Sequence, residues 1–270
     1  MKVESSGVAL DVQVEGEGRP VVLVHGFPDT KRLWSKQVPA LVDAGFQVIT
    51  YDQRGYGASD KPAEIEAYSI PFLAIDLTTI LDHLGLEQAH LVGHDWGAAV
   101  VWATASLAPQ RVDHLVAMSV GHPNAFANMS MGQREKSWYM LLFQFARVAE
   151  QWLTIDGGAN FREWCHHPDF DAVYAEYNDN GSLTPGLNYY RANVNPEALV
   201  GPPIELPAIQ APTMGIWSSH DFALLEEQMV NSSKYCANGW RYERLDGPDH
   251  WMQWEAPEKV NRLLLDFLPS

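Results

Sequence analysis

Basic side chains are scarce in this chain: 18 lysines and arginines stand against 34 aspartates and glutamates, for a formal charge of −16. So large an excess of negative charge repels phosphate backbones and anionic lipid surfaces, which sets nucleic-acid binding and membrane docking aside. Cysteine is scarcer still. Cys165 and Cys236 are too few for a disulfide scaffold, although one bridge between them is compatible with the count. The opening Met1-Lys2-Val3-Glu4-Ser5-Ser6-Gly7 has no apolar stretch behind a basic region, and no later run reaches the roughly 18 apolar residues of a membrane span. The expected compartment is a reduced, cytoplasmic one. Phosphate-binding G-x-G-x-x-G and G-x-x-x-x-G-K patterns are missing, and the His166-His167 pair has neither partnering cysteines nor an H-E-x-x-H helix, so it reads as local packing or surface. No cofactor and no metal is expected.

What the chain has is enough apolar material for a core. Of its 270 residues 46% are hydrophobic and 19% charged, a composition that is neither disordered nor fibrous, and the length suits one large domain or two small ones. Val8 to Glu15 alternates apolar and polar residues like a half-buried strand. Continuous apolar runs follow at Pro20–Val24, Gly45–Tyr51, Ala89–Gly93, Val112–Val120 and Ala211–Ser218, as strands covered on both faces require. Helical patterns at Trp34–Asp43, Ile70–Leu84 and Ala98–Leu107 separate them, and this alternation predicts an α/β fold with a mostly parallel sheet flanked by helices. The rhythm breaks between Pro123 and Ala208. That stretch is rich in aromatics, carries a helical pattern over Arg134–Leu153, and is bounded by Pro123 and by Pro202, Pro203 and Pro207. It predicts a helical insertion, residues 124–207, over a core made of residues 1–123 and 208–270.

The sharpest local feature is Gly93-His94-Asp95-Trp96-Gly97, set between a strand and a helix. A residue held on a sharp strand-to-helix turn needs neighbours without side chains, and such a turn projects Asp95 at the carboxyl end of the sheet, where open α/β sheets bind ligands. The simpler alternative is an aspartate capping the helix, but a cap does not require both glycines. Val24-His25-Gly26-Phe27-Pro28 ends an earlier strand, and the backbone N–H groups of Phe27 and Trp96 together would make an oxyanion hole. Asp221 in Ser218-Ser219-His220-Asp221 and His250 in Gly247-Pro248-Asp249-His250-Trp251 follow later strands. The order nucleophile, acid, histidine is that of an α/β-hydrolase triad.

These pieces, with Asp52-Gln53-Arg54-Gly55-Tyr56-Gly57-Ala58-Ser59, resemble the α/β-hydrolase superfamily and within it the soluble epoxide hydrolases, over essentially the whole chain. The resemblance implies that Asp95 attacks an epoxide carbon, that His250, oriented by Asp221, activates water against the resulting ester, and that two tyrosines of the helical cap hold the epoxide oxygen. Ser137-Trp138-Tyr139 and Leu187-Asn188-Tyr189-Tyr190 match those cap segments and assign Tyr139 and Tyr190, with Tyr189 beside them. His25, Pro28, Trp138, Phe143, Trp152, Tyr189 and Trp251 are the expected pocket residues, and the turn Arg54 to Ser59 its core face. Their apolar character favours an apolar or aryl epoxide, with water as co-substrate and oligomeric state undetermined. A haloalkane dehalogenase using the same triad is the nearest alternative; a ligand-binding module with a retired site is the alternative from another class.

Overall fold

The structure, a computed structural model, describes residues 1–194, 196 and 205–270. Eight strands form one sheet: β1 (Lys2–Ser5), β2 (Val8–Glu15), β3 (Arg19–Val24), β4 (Phe46–Asp52), β5 (Ala89–His94), β6 (Val112–Met118), β7 (Thr213–Ser218) and β8 (Trp240–Leu245), in the order β1-β2-β4-β3-β5-β6-β7-β8. β1 and β2 run antiparallel at one edge, and every pairing from β4 to β8 is parallel. Burial follows the residue pattern. β2 alternates buried and partly exposed residues, whereas β5 and β7 are buried throughout, because helices cover the parallel strands on both faces.

The flanking helices are α1 (Val38–Asp43), α2 (Ile70–His83) and α3 (Trp96–Leu107), with α10 (Glu226–Asn231), α11 (Met252–Glu255) and α12 (Pro257–Phe267) after β7. Between β6 and β7 lie α4 (Pro123–Ala127), α5 (Met131–Lys136), α6 (Trp138–Leu142), α7 (Val148–Cys165), α8 (Phe170–Asn180) and α9 (Leu183–Asn193). This is the stretch where the sequence loses its strand rhythm. Pro202 and Pro203 lie outside the described residues.

Two expectations change. The helix expected over Trp34–Asp43 is a 3-10 turn at Lys31–Trp34 followed by α1, whose first turn holds Pro39; proline is tolerated there but cannot donate back to a preceding turn. The single helix expected over Arg134–Leu153 is three pieces. Arg147 has φ 70°, outside the helical region, and the Phe143 carbonyl freed by the break accepts from Arg191 Nε at 3.0 Å. α7 is itself kinked where Ile155 to Gly158 leave helical geometry. Cys165 and Cys236, between which the count left one bridge open, are both free thiols.

One buried ion pair ties three layers together. Arg54 donates to Asp76 of α2 through Nε and Nη2, at 2.7 and 2.6 Å, while its carbonyl accepts from Tyr189 of α9 at 2.7 Å. Both charged side chains are almost completely buried. Removing one partner strands the other charge, so Asp76→Asn is expected to cost about 3–5 kcal/mol in urea unfolding, and the apolar pair Arg54→Met/Asp76→Leu to recover most of that loss.

Candidate active site

The strand order turns back between β3 and β5, so the loops after these neighbouring strands separate and leave a crevice at their carboxyl ends. Asp95 stands there at the junction of β5 and α3, with φ 54° and ψ −122°. Few L-residues hold such angles, and they recur where structure is strained for function. The glycines make the turn possible by close approach. A side chain on Gly97 would run into the Val24 carbonyl, one on Gly93 into the Gly97 carbonyl, and one on Gly26 into the Asp95 carboxylate. The Asp95 side chain turns away from its own helix: Oδ1 accepts from the Phe27 N–H at 2.7 Å. Trp96 is the first residue of α3, so its N–H is one of those the helix itself leaves free. The Phe27–Pro28 peptide bond is cis.

His250 and Asp221 complete the group. His250 Nδ1 lies 2.9 Å from Asp221 Oδ2, and His250 Nε2 lies 3.7 Å from Asp95 Oδ2. Asp221 is itself fixed, its Oδ1 accepting from the N–H groups of Ala223 and Leu224, both at 2.9 Å. One oxygen of Asp221 thus closes a local turn while the other faces His250.

Above these residues a tightly closed cavity of about 10 Å3 is lined by Phe27, Pro28, Asp95, Tyr139, Trp164, Cys165, Tyr190, Phe222, Ala223, His250 and Trp251. A larger, open depression of about 550 Å3 sits around Asp82, Gly85 and Arg111, away from this group. Tyr139 from α6 and Tyr190 from α9 meet over Asp95 with ring centroids 5.9 Å apart. Pro28 and Trp251 line the cavity as expected; the other expected pocket residues stand elsewhere. Phe143 is buried behind the two tyrosines, 5.5 Å from Tyr139 and 5.0 Å from Tyr190. Tyr189 points the other way, to the Arg54 carbonyl. His25 lies beneath the crevice, accepting from the Gln53 N–H at 3.0 Å and set edge-on to Tyr56. Trp138 and Trp152 meet edge-to-face at 5.6 Å, with Trp138 47% exposed. The period of a short helix explains this: Tyr139 faces inward, so its neighbour Trp138 cannot. The turn Arg54 to Ser59 supports the site from below and does not line the cavity.

The comparisons with known proteins agree with this geometry. The family model of the alpha/beta hydrolase fold matches residues 19–257. The chain belongs to the α/β-hydrolase fold family. Within it, this α/β-hydrolase is 33% identical to epoxide hydrolase A of Mycobacterium tuberculosis, over 98% of this chain and 96% of that one. It is 34% identical to the AB hydrolase superfamily protein YfhM of Bacillus subtilis, over 99% and 97%. Among solved structures, an epoxide hydrolase of Bacillus megaterium in complex with an inhibitor superposes with a TM-score of 0.90 at 29% identity, covering 99% of both chains.

Several residues around the site of this α/β-hydrolase had no local signal in the sequence. Phe222 stacks on Trp251 at 5.9 Å, and Trp164 meets Tyr139 at 4.7 Å. Asp29 is buried and accepts from Trp251 Nε1 at 2.8 Å. It also accepts from His167 Nε2 at 3.1 Å, an N–H fixed there because His167 Nδ1 accepts from the Asp169 N–H. Burial would raise this carboxyl, but His167 and Trp251 hold it below its ordinary value. Of the histidine pair, then, His167 joins the helical layer to the core while His166 stays exposed. His94, next to Asp95, is pushed down to about 4, by burial first and the neighbouring His250 second; neutral, it donates from Nε2 to the His250 carbonyl at 3.0 Å.

Electrostatics sets the protonation states. Burial by itself would favour a neutral His250, but the charge and hydrogen bond of Asp221, followed by those of Asp95, push its pKa up to about 10. Burial, reinforced by the Asp95 charge, holds Tyr139 and Tyr190 well above the ordinary phenol value, so both are donors at neutral pH. Because the His250 pKa is raised on folding, its contribution to stability is full below the ordinary value of 6.5 and lost as pH rises through about 10. Nitrogen-detected NMR of histidine-labelled protein is expected to show His250 as an imidazolium at pH 7 and to show it titrating lower in Asp221→Asn, from which the strongest upward influence is gone.

Proposed function

We propose that this α/β-hydrolase opens an apolar or aryl epoxide to a vicinal diol through a covalent ester on Asp95, with residues 124–207 as the cap. The observation that carries the reading is the convergence of two protonated cap phenols, Tyr139 and Tyr190, on the cavity that also holds Asp95 and His250. Epoxide opening develops charge on an oxygen that stays in the product, and a phenol above the carboxylate supplies the donor that oxygen requires. Halide departure needs no such proton. The chain's epoxide hydrolase relatives support the same reading.

The two oxygens of Asp95 take separate parts. Oδ2, on the His250 side, attacks the epoxide carbon; the carbon–oxygen bond breaks and the alkoxide takes a proton from Tyr139 or Tyr190. Oδ1, already facing the Phe27 N–H, becomes the oxyanion when water attacks the ester carbonyl, with Phe27 and Trp96 as its donors. His250 takes one proton from that water while Asp221 holds its other nitrogen, and on collapse the departing oxygen takes the water's second proton, releasing the diol and restoring the carboxylate with the water's oxygen. A proton from His250 replaces the one the tyrosine gave up.

The raised pKa of His250 gives the two steps an order. In the free enzyme the imidazole is flanked by two carboxylates and protonated, and so is no base. Esterification turns Asp95 neutral and removes the smaller of the two charges that favour the imidazolium, which lowers the His250 pKa and eases transfer of its proton to the tyrosinate left by the first step. Loss of His250's proton remains a requirement of the second step alone, and the sign follows: in single-turnover experiments, acidification is expected to slow ester hydrolysis while leaving alkylation nearly unchanged in the same range.

His250→Ala is expected to trap the intermediate, so that intact mass after substrate addition rises by one substrate mass. A competent substrate that leaves no adduct on this variant or on rapidly quenched wild type would mean direct attack by water. Tyr139→Phe and Tyr190→Phe each keep the aromatic packing, and each is expected to slow alkylation about 10- to 1000-fold, with the double variant almost inactive. Full epoxide turnover by the folded double variant excludes the assignment of the phenols, and halide release from haloalkanes by wild type would point to a dehalogenase.

A further inference from the structure

The amino ends of β5 and β6 carry a second group of ligating side chains, about 17 Å from Asp95 by strand rise. The register between the two strands shifts there: Ala89 pairs with Val112 and Leu91 with Leu115, so His90 alone faces both Asp113 and His114. Consecutive strand residues ordinarily point to opposite faces, and a bulge is the device that lets two of them converge. The ligand atoms of His90, Asp113 and His114 lie within 4.8 Å of one another, and Asp113 Oδ1 is 3.1 Å from His114 Nδ1.

His90 is the informative member. It is fully buried, and its Nε2 lies 3.0 Å from the carbonyl of Pro269, a contact that only an Nε2–H satisfies. This tautomer leaves a lone pair on Nδ1. Among the described residues that buried nitrogen has no hydrogen-bond partner, and the nearest carboxylate oxygen, Asp113 Oδ2, is 3.6 Å away. Burying an unpaired acceptor beside an anion is unfavourable unless a cation joins them. Metal-bound imidazoles generally show the other half of this arrangement as well, their second N–H given to a backbone carbonyl.

We propose that His90, Asp113 and His114 form a binding site for a zinc-class divalent cation. Two imidazole nitrogens and one carboxylate oxygen suit Zn2+, with water in the fourth position, and do not suit Mg2+ or Ca2+, which require oxygen ligands. Bringing the donors to zinc distance needs shifts of about an ångström. Asp113 and His114 are partly exposed and free to make them. Arg19 Nη2 now lies 2.6 Å from Asp113 Oδ2; this exposed guanidinium competes with the metal and swings into water when it binds. His90 holds the Pro269 carbonyl, and His114 packs edge-on to Phe267 at 5.5 Å. The bound ion therefore fastens the carboxyl-terminal segment to the sheet.

The full chain, stripped with EDTA and desalted, is titrated with Zn2+ alone by calorimetry and by thermal unfolding, and with Co2+ by visible absorption. One Zn2+ per chain is expected, with an unfolding midpoint that rises with Zn2+ and not with Mg2+, and a Co2+ spectrum of low-symmetry nitrogen and oxygen ligation. His114→Ala and Asp113→Asn are each expected to weaken binding by about 100-fold or more, beyond the loss seen when only a ligand's hydrogen-bond partner is changed, and Arg19→Gln to tighten it. These three positions are accessible enough to substitute without unfolding, which circular dichroism checks, so the test does not depend on the buried His90. Absence of zinc binding in wild type, binding undiminished in both His114→Ala and Asp113→Asn, or an equal response to Mg2+ would each overturn the site.

Discussion

A left-handed backbone at Asp95 is the constraint on which the rest of this enzyme rests. An L-residue at φ 54° is stable only if its surroundings leave it no alternative, and here they consist of three glycines against which no side chain would fit. Gly97 lets α3 approach the end of β3, Gly93 lets β5 turn, and Gly26 lets the Phe27 N–H reach the carboxylate. Local chain direction and the placement of the Asp95 carboxylate are thereby fixed by one turn. The reversal of strand order between β3 and β5 opens the crevice into which that turn projects.

Charge within the core is handled by the same logic at several points. Asp76 is matched by Arg54, Asp29 by His167 and Trp251, and Asp221 by His250 with two backbone N–H groups. A buried carboxylate without such partners would protonate or unfold its surroundings. Two of these arrangements also join layers: Asp29 links the core to His167 of the helical layer, and the Arg54 carbonyl holds Tyr189. Asp95 differs, for one of its oxygens is left facing the cavity, and that difference is why the proposed nucleophile is this carboxylate.

The helical layer is built from aromatics whose orientations are set by helix breaks. α6 is short and separated from α7, and with Phe143 behind them Tyr139 and Tyr190 are brought edge to face over the site. The breaks interrupt a pattern that reads as a single helix over Arg134–Leu153, and the interruption is what gives Tyr139 and Trp138 opposite fates. Desolvation by the same aromatics keeps both phenols protonated. Packing and chemistry are one arrangement there.

The amino-acid sequence by itself determined the α/β alternation, the central parallel strands, the elbow at Asp95 and the order of Asp221 and His250, because each depends on residues close together in the chain: apolar runs, glycines beside a turn, polar groups just past a strand. β1 and the breaks in the helical layer were not legible, since short elements take their conformation from what they pack against. Nor were the true cavity walls. Trp164, Cys165 and Phe222 line the cavity while Trp138, Trp152 and Tyr189 do not, a distinction that rests on the direction each side chain takes after its helix docks. The same holds for Asp29 with His167, and for His90 with Asp113 and His114, residues far apart in sequence that meet through docking of the helical layer in one case and a strand bulge in the other. Local chemistry is written in neighbouring residues; long-range contact, and with it burial, protonation state and the partners of each charge, was decided only when the tertiary structure brought distant residues together and excluded water from between them.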